Sequence, residues 1–158
     1  MFLQLAHTKL NVFANSKQLV LLCYKLSKLL PQEEKFDITQ QLRRAALSIH
    51  LNIAEGCSRK SVIERRRFFE VSRGSLIEVD TIFDITCELG YFRKTDLEEA
   101  GNLIIKTFQM LSKLIGVLNS PFTTHNSRIW QKQKQAYHKV PEIFRQKLFA
   151  NATIFSIP

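Results

Sequence analysis

Three polar side chains, Asn52, Glu55 and Arg73, fall on helix faces that are otherwise apolar. A carboxylate such as Glu55 can act as a general acid or base, but only with a nucleophile or histidine in hydrogen-bonding reach, and no such partner stands at a suitable spacing. Polar groups so placed usually pair across a bundle, and a structural network is the expectation for these three. Metal chemistry has no better footing. A metal site in a helical bundle needs Glu-x-x-His on facing helices, because that spacing puts both ligands on one side of the ion. None of His7, His50, His125 or His138 has a glutamate three residues before it. Asp80, Asp84 and Glu88 line one helix face, where like charges repel unless they are solvated or answered by a neighbouring helix, with a divalent-cation site as the alternative reading. No phosphate-binding P-loop, G-x-S-x-G or H-E-x-x-H motif occurs. The chain is therefore expected to be no enzyme and to carry no cofactor.

The basic residues point elsewhere. Arg59, Lys60, Arg65, Arg66 and Arg67 crowd one turn, with Arg43 and Arg44 earlier on the preceding helix. Arginine forks phosphate oxygens bidentately, so the cluster suits an RNA or DNA backbone without reading base sequence. Three successive arginines spread over about 200° of helix surface, however, and cannot all face one ligand. A solubilising charged end is the competing reading. A second group joins Arg128, Lys132, Lys134 and Lys139 to Trp130 and Tyr137, a mixture able to hold single-stranded nucleic acid by charge and stacking. Docking of those aromatics on the parent fold is its alternative. The formal charge of +9 is uneven: residues 1–120 hold 17 basic and 13 acidic side chains, and the last 38 hold 6 and 1. Such a balance draws polyanions and makes their binding depend on salt.

The elements that must position these residues are helices. A chain of 158 residues suits one domain with an appendage, and 5 glycines with 4 prolines are too few for many strands and tight turns. A first helix is predicted over Val12 to Leu30, halted by Pro31, with Leu19, Leu22, Leu26 and Leu29 as its stripe. Val20, Leu21, Cys23 and Tyr24 add apolar surface outside that stripe, which must be covered by the bundle or by a neighbouring subunit. A second helix runs from Thr39 to Gly56, which marks its end or a close packing point, along the seam Leu42, Ala46, Ile49 and Ile53. A third spans Ser61 to Leu89, with Ser61 and Glu64 in capping-box spacing and Val62, Phe69, Leu76 and Phe83 every seven residues. Ser72, Gly74 and Ser75 offer close approach to another backbone, and Gly90 a left-handed stop. A fourth starts at a Thr95–Glu98 capping box and carries Leu97, Gly101, Ile104, Phe108, Leu111, Ile115 and Leu118 at alternating steps of four and three. Short connections force antiparallel neighbours.

The expected fold is all-α: an antiparallel up-and-down four-helix bundle over residues 1–120 with a basic, aromatic-containing C-terminal extension over 121–158. Short helices near 127–138 and 141–149 are expected within that extension. The longest apolar runs are too short to cross a bilayer, Met1 to Leu5 lacks the basic region and cleavage site of a signal peptide, and the odd, widely spaced Cys23, Cys57 and Cys87 suit a reducing compartment. A cytoplasmic protein with no membrane contact is the expectation.

The run Thr39-Gln-Gln-Leu-Arg-Arg-Ala-Ala-Leu-Ser-Ile-His-Leu-Asn-Ile-Ala-Glu-Gly56 resembles the signature of the bacterial four-helix-bundle family encoded by intervening sequences in 23S rRNA genes. Leu30-Pro-Gln-Glu-Glu-Lys35, Ser72-Arg-Gly-Ser-Leu-Ile-Glu78 and Glu88-Leu-Gly-Tyr91 are similar to the family's first loop, third helix and its ending, so that roughly residues 10–118 are covered. The resemblance implies a homopentamer that is not an enzyme and is associated with nucleic acid, with Asn52, Glu55 and Arg73 among the family phrases. A related branch of the fold implies the alternative of a protein-interaction adaptor, an accessory subunit of a diversity-generating retroelement reverse transcriptase. His50 stands where the family commonly has proline, and residues 121–158 match nothing in its pattern.

Overall fold

Helix seams at steps of three and four decide the architecture. The structure is a computed structural model that describes residues 5–119. A short 3₁₀ turn, Ala6–Lys9, precedes α1 (Asn11–Leu26), α2 (Ile38–Ser58), α3 (Val62–Glu88) and α4 (Glu98–Asn119), with two further 3₁₀ turns in the connections. All regular structure among the described residues is helical. No described helix is long and apolar enough to cross a membrane.

Contacts fix the topology. Ser16 meets His50 and Ser27 meets Arg43, so α1 and α2 run antiparallel. Ser48 meets Ser75, Ser72 donates to the Ile49 carbonyl and Gln41 to Glu78, which sets α3 antiparallel to α2. Arg73 lies over the Phe108 ring, and Asn15 donates to Leu103 and Thr107, so α4 closes the bundle against both α3 and α1. The result is the antiparallel up-and-down four-helix bundle expected. At about 1.5 Å per residue, the 27 residues of α3 make a rod of roughly 40 Å.

The second seam holds throughout: Leu42, Ala46, Ile49 and Ile53 are fully buried. Gly56 is a close packing point, since a Cβ there would sit 2.6 Å from Phe69 Cε1. Gly74 is not, because a Cβ would meet nothing within 4 Å; the close approach belongs to Ser72 and Ser75, whose hydroxyls bond α2. Ser61 caps α3 as expected, accepting from the Glu64 amide at 3.4 Å, and Gly90 takes φ 77°.

Three expectations need correction. The first helix ends at Leu26, four residues before the position argued from Pro31, because Ser27 to Leu29 continue as turns; Leu29 is 67% exposed, and Ser16, Leu19, Cys23 and Leu26 form the true inner stripe. The fourth helix opens one turn later, after a 3₁₀ turn at Lys94–Leu97, and the capping box belongs to that turn, where the Asp96 carboxylate accepts from the Arg93 amide at 3.0 Å and from its guanidinium. Its seam holds at Leu97, Ile104, Leu111 and Ile115, which are buried, but Ala100 and Thr107 join it and Phe108 is 40% exposed. Thr107 faces inward because it accepts from Asn15 at 2.9 Å and donates to Leu103, which satisfies its buried hydroxyl.

The three cysteines are free thiols. Burial pushes Cys23 up to about 12. The expected short helices, and Arg128, Lys132 and Lys134, lie outside the described residues, as does the whole extension 121–158.

Candidate nucleic-acid interface

The α2–α3 turn gathers five basic side chains, and local geometry allots them to different tasks. α2 ends at Ser58, and Arg59 takes extended backbone so that its guanidinium folds back onto Glu55, one helical turn earlier. The same guanidinium lies 5.0 Å from the centre of the Phe68 ring. An arginine paired with a carboxylate and stacked on an aromatic is held by its own fold. Arg65, in the first turn of α3, donates to the Arg59 carbonyl at 2.8 Å and ties the turn shut. Arg66 pairs with Glu70 at 2.8 Å, one turn along an exposed face. Such an exposed pair is worth about 0.3–0.5 kcal/mol, so a phosphate can take the arginine over.

Lys60 and Arg67 are exposed and make no ion pair among the described residues. Ile63, four residues before Arg67, shares its face and is exposed too, so the outward surface of the turn alternates charge with apolar area. The sequence reading did not single out Ile63; its offset from the seven-residue seam of α3 was the available signal.

On α2 the two arginines also divide. Arg43 donates to Ser27 Oγ at 2.8 Å and lies 5.4 Å from the Tyr24 ring centre, so it joins α1 to α2. Arg44 is exposed beside Phe36 and Asp37. The structure thus presents Lys60, Arg66, Arg67 and Arg44 outward, and engages Arg43, Arg59 and Arg65 within the protein.

The expected polar network resolves into three separate contacts. Asn52 donates to the Ser48 carbonyl within its own helix at 2.8 Å, Glu55 pairs with Arg59, and Arg73 lies over Phe108. They do not bond one another because a local partner lies within one turn of Asn52 and of Glu55, and an aromatic face lies opposite Arg73. Polar cross-bundle bonds come instead from Ser16 with His50, Asn15 with Thr107 and Ser48 with Ser75, which the sequence reading missed. His50 has its pKa held below 6.5 by burial first, then by Lys17 and His7.

Asp80, Asp84 and Glu88 are exposed and form no ion pair among the described residues, as expected of a solvated stripe. No group of three His, Cys, Asp or Glu side chains converges as metal ligands among the described residues.

An apolar strip crosses the α3–α4 face. Ile77 and Ile105 are 52% and 56% exposed and, with Phe108, border an open groove of about 290 Å³. Single exposed apolar residues are ordinary, but neighbours on two helices make a patch.

Comparison with known proteins agrees with this architecture. A crystal structure of a protein of unknown function from the S23 ribosomal protein family of Bacteroides thetaiotaomicron is similar in fold, with TM-score 0.62 and 21% identity over 66% of this chain and 97% of that one. No curated protein matches the sequence. Residues 8–113 match the family model for the 23S rRNA-intervening sequence protein, and that span runs from the turn before α1 into the last turns of α4. The chain belongs to the 23S rRNA-intervening sequence protein family.

Proposed function

We propose that this chain is a non-enzymatic, oligomeric protein that associates with nucleic acid through phosphate contacts, and that ribosomal RNA is its partner. The observation that carries the reading is the division of labour at the α2–α3 turn. Lys60 and Arg67 face outward without acidic partners among the described residues, while Arg59 and Arg65 brace the backbone that holds them there. Point charges on a braced turn suit a phosphate backbone, which supplies affinity without base recognition. One protomer offers few such contacts, so assembly is needed to multiply them into a positive surface.

The strip formed by Ile77, Ile105 and Phe108 supports self-assembly, because a subunit seated there would remove three large apolar groups from water at about 25 cal/mol per Å². A homopentamer is the assembly the family resemblance implies. The same strip favours a second reading, a protein-interaction adaptor such as a reverse-transcriptase accessory subunit, in which another protein fills it.

Light scattering on purified protein, before and after nuclease treatment, tests both parts. The proposal expects a mass of several protomers, ultraviolet-absorbing nucleic acid that nuclease removes, and dissociation by Ile105→Glu. A nucleic-acid-free monomer unaffected by Ile105→Glu would refute it.

A further inference from the structure

At the end of the bundle where α2 gives way to α3, a groove of about 380 Å³ opens between the N-terminal turn, the start of α3 and the last turns of α4. It is separate from the proposed phosphate contacts, since neither Lys60 nor Arg67 borders it, although Arg65 serves both by bracing the turn that carries them. The size falls in the range of small-ligand sites, about 300–1,000 Å³. Leu10, Leu114 and Val117 give it apolar walls, with Leu10 and Val117 exposed at the rim.

Two polar groups at this groove have hydrogen-bonding capacity left unused. His7 is 7% exposed, and its Nε2 is buried with no hydrogen-bond partner among the described residues. Arg65 Nε is likewise buried and unpartnered. Buried polar atoms are seldom left so, because each costs about 1–3 kcal/mol when unmade. Arg65 is always charged and makes no ion pair among the described residues, and Glu55, near the end of α2, pairs with Arg59. Cys57 also borders the groove, and burial pushes its thiol up against the opposing pull of Arg65, so it supplies no negative charge. An arginine with no ion pair among the described residues and a histidine whose Nε2 is unpartnered thus line one groove with apolar walls.

We infer that this groove binds a small amphipathic carboxylate, its head on Arg65 and His7 and its hydrocarbon body along Leu10, Leu114 and Val117. A carboxylate fits because guanidinium N–H groups match its two oxygens in a forked pair, and such charge-assisted bonds are about twice as strong as neutral ones. The apolar walls select a ligand with a hydrocarbon body over a bare inorganic anion.

Isothermal titration of the full chain with octanoate tests this, with octan-1-ol as the neutral control. Saturable octanoate binding is expected, weakened at least about tenfold when the head is the alcohol. Arg65→Met keeps the stem and removes the charge, and should weaken octanoate binding by at least about tenfold; Val117→Glu, at an exposed position, should do the same by setting a charge against the hydrocarbon body. An unchanged circular dichroism spectrum certifies each fold, and Val117→Glu decides alone if Arg65→Met does not fold. Absent saturation, equal binding of acid and alcohol, or Val117→Glu binding as wild type would each overturn the inference.

Discussion

Replacing Gly56 with alanine sets two effects of opposite sign against each other. Near the end of a helix, alanine gains at most about 0.5–1 kcal/mol over glycine through lost unfolded-state freedom. At Gly56 the new Cβ would sit 2.6 Å from Phe69 Cε1, 2.8 Å from Phe69 Cδ1 and 3.2 Å from the Arg65 carbonyl oxygen. Phe69 is buried in the core and cannot swing clear, so the overlap costs about 1–3 kcal/mol. The overlap wins, and Gly56→Ala should lower stability by about 0.5–2 kcal/mol. Gly74→Ala is the internal control: its Cβ meets nothing within 4 Å inside α3, so it should raise stability by about 0.5–1 kcal/mol. Urea unfolding followed by circular dichroism, at one fixed protein concentration, reads both. In a Phe69→Leu background, which removes the ring atoms, Gly56→Ala should lose most of its cost, giving a coupling of about 1 kcal/mol. If Gly56→Ala stabilised as much as Gly74→Ala, the packing of α2 on α3 described above would be wrong.

Two further outcomes follow from buried groups. The pKa of His50 is lower in the folded state than the ordinary 6.5, so the unfolded chain binds more protons between the two values; stability is full above pH 6.5 and declines as pH falls through the folded pKa. His50→Gln, which can still bond Ser16, should flatten that decline when unfolding midpoints at pH 7.5 and 5.5 are compared, and an unchanged pH dependence would count against it. Cys23, pushed up to about 12 and fully buried, should be the slowest of the three thiols to react with iodoacetamide at pH 8, reacting only on unfolding; mass spectrometry of the labelled native protein would show otherwise if it led.

How much the sequence disclosed differed from helix to helix. The second seam was legible because Leu42, Ala46, Ile49 and Ile53 form one stripe with polar residues around it. The first was not: leucines occupy every side of α1, so periodicity alone chose Leu29, whereas the bundle buries Ser16 and Cys23. At the fourth helix, Thr95–Glu98 and the stretch around Asp96 offer competing starts, and the short-range bond from the Arg93 amide selects the latter. Phe108 fitted a seam whose Leu97, Ile104, Leu111 and Ile115 are indeed buried, but Thr107, with a partner on α1, takes the inward place beside it. The basic cluster was visible as composition and invisible as allocation. Whether an arginine meets solvent or its own fold depends on the turn, and only the extended backbone at Arg59 shows that its charge is spent on Glu55 and Phe68.

The salt dependence of nucleic-acid binding tests the central claim most directly. Fluorescence anisotropy with a labelled single-stranded RNA, repeated from 50 to 200 mM salt, should give a linear fall of log affinity with log salt, about 0.7 per phosphate neutralised. The double variant Lys60→Gln, Arg67→Gln should reduce that slope by about 1.4 for each protomer in contact, with little change in base preference. Affinity indifferent to salt, or a slope that the double variant leaves intact, would contradict the account.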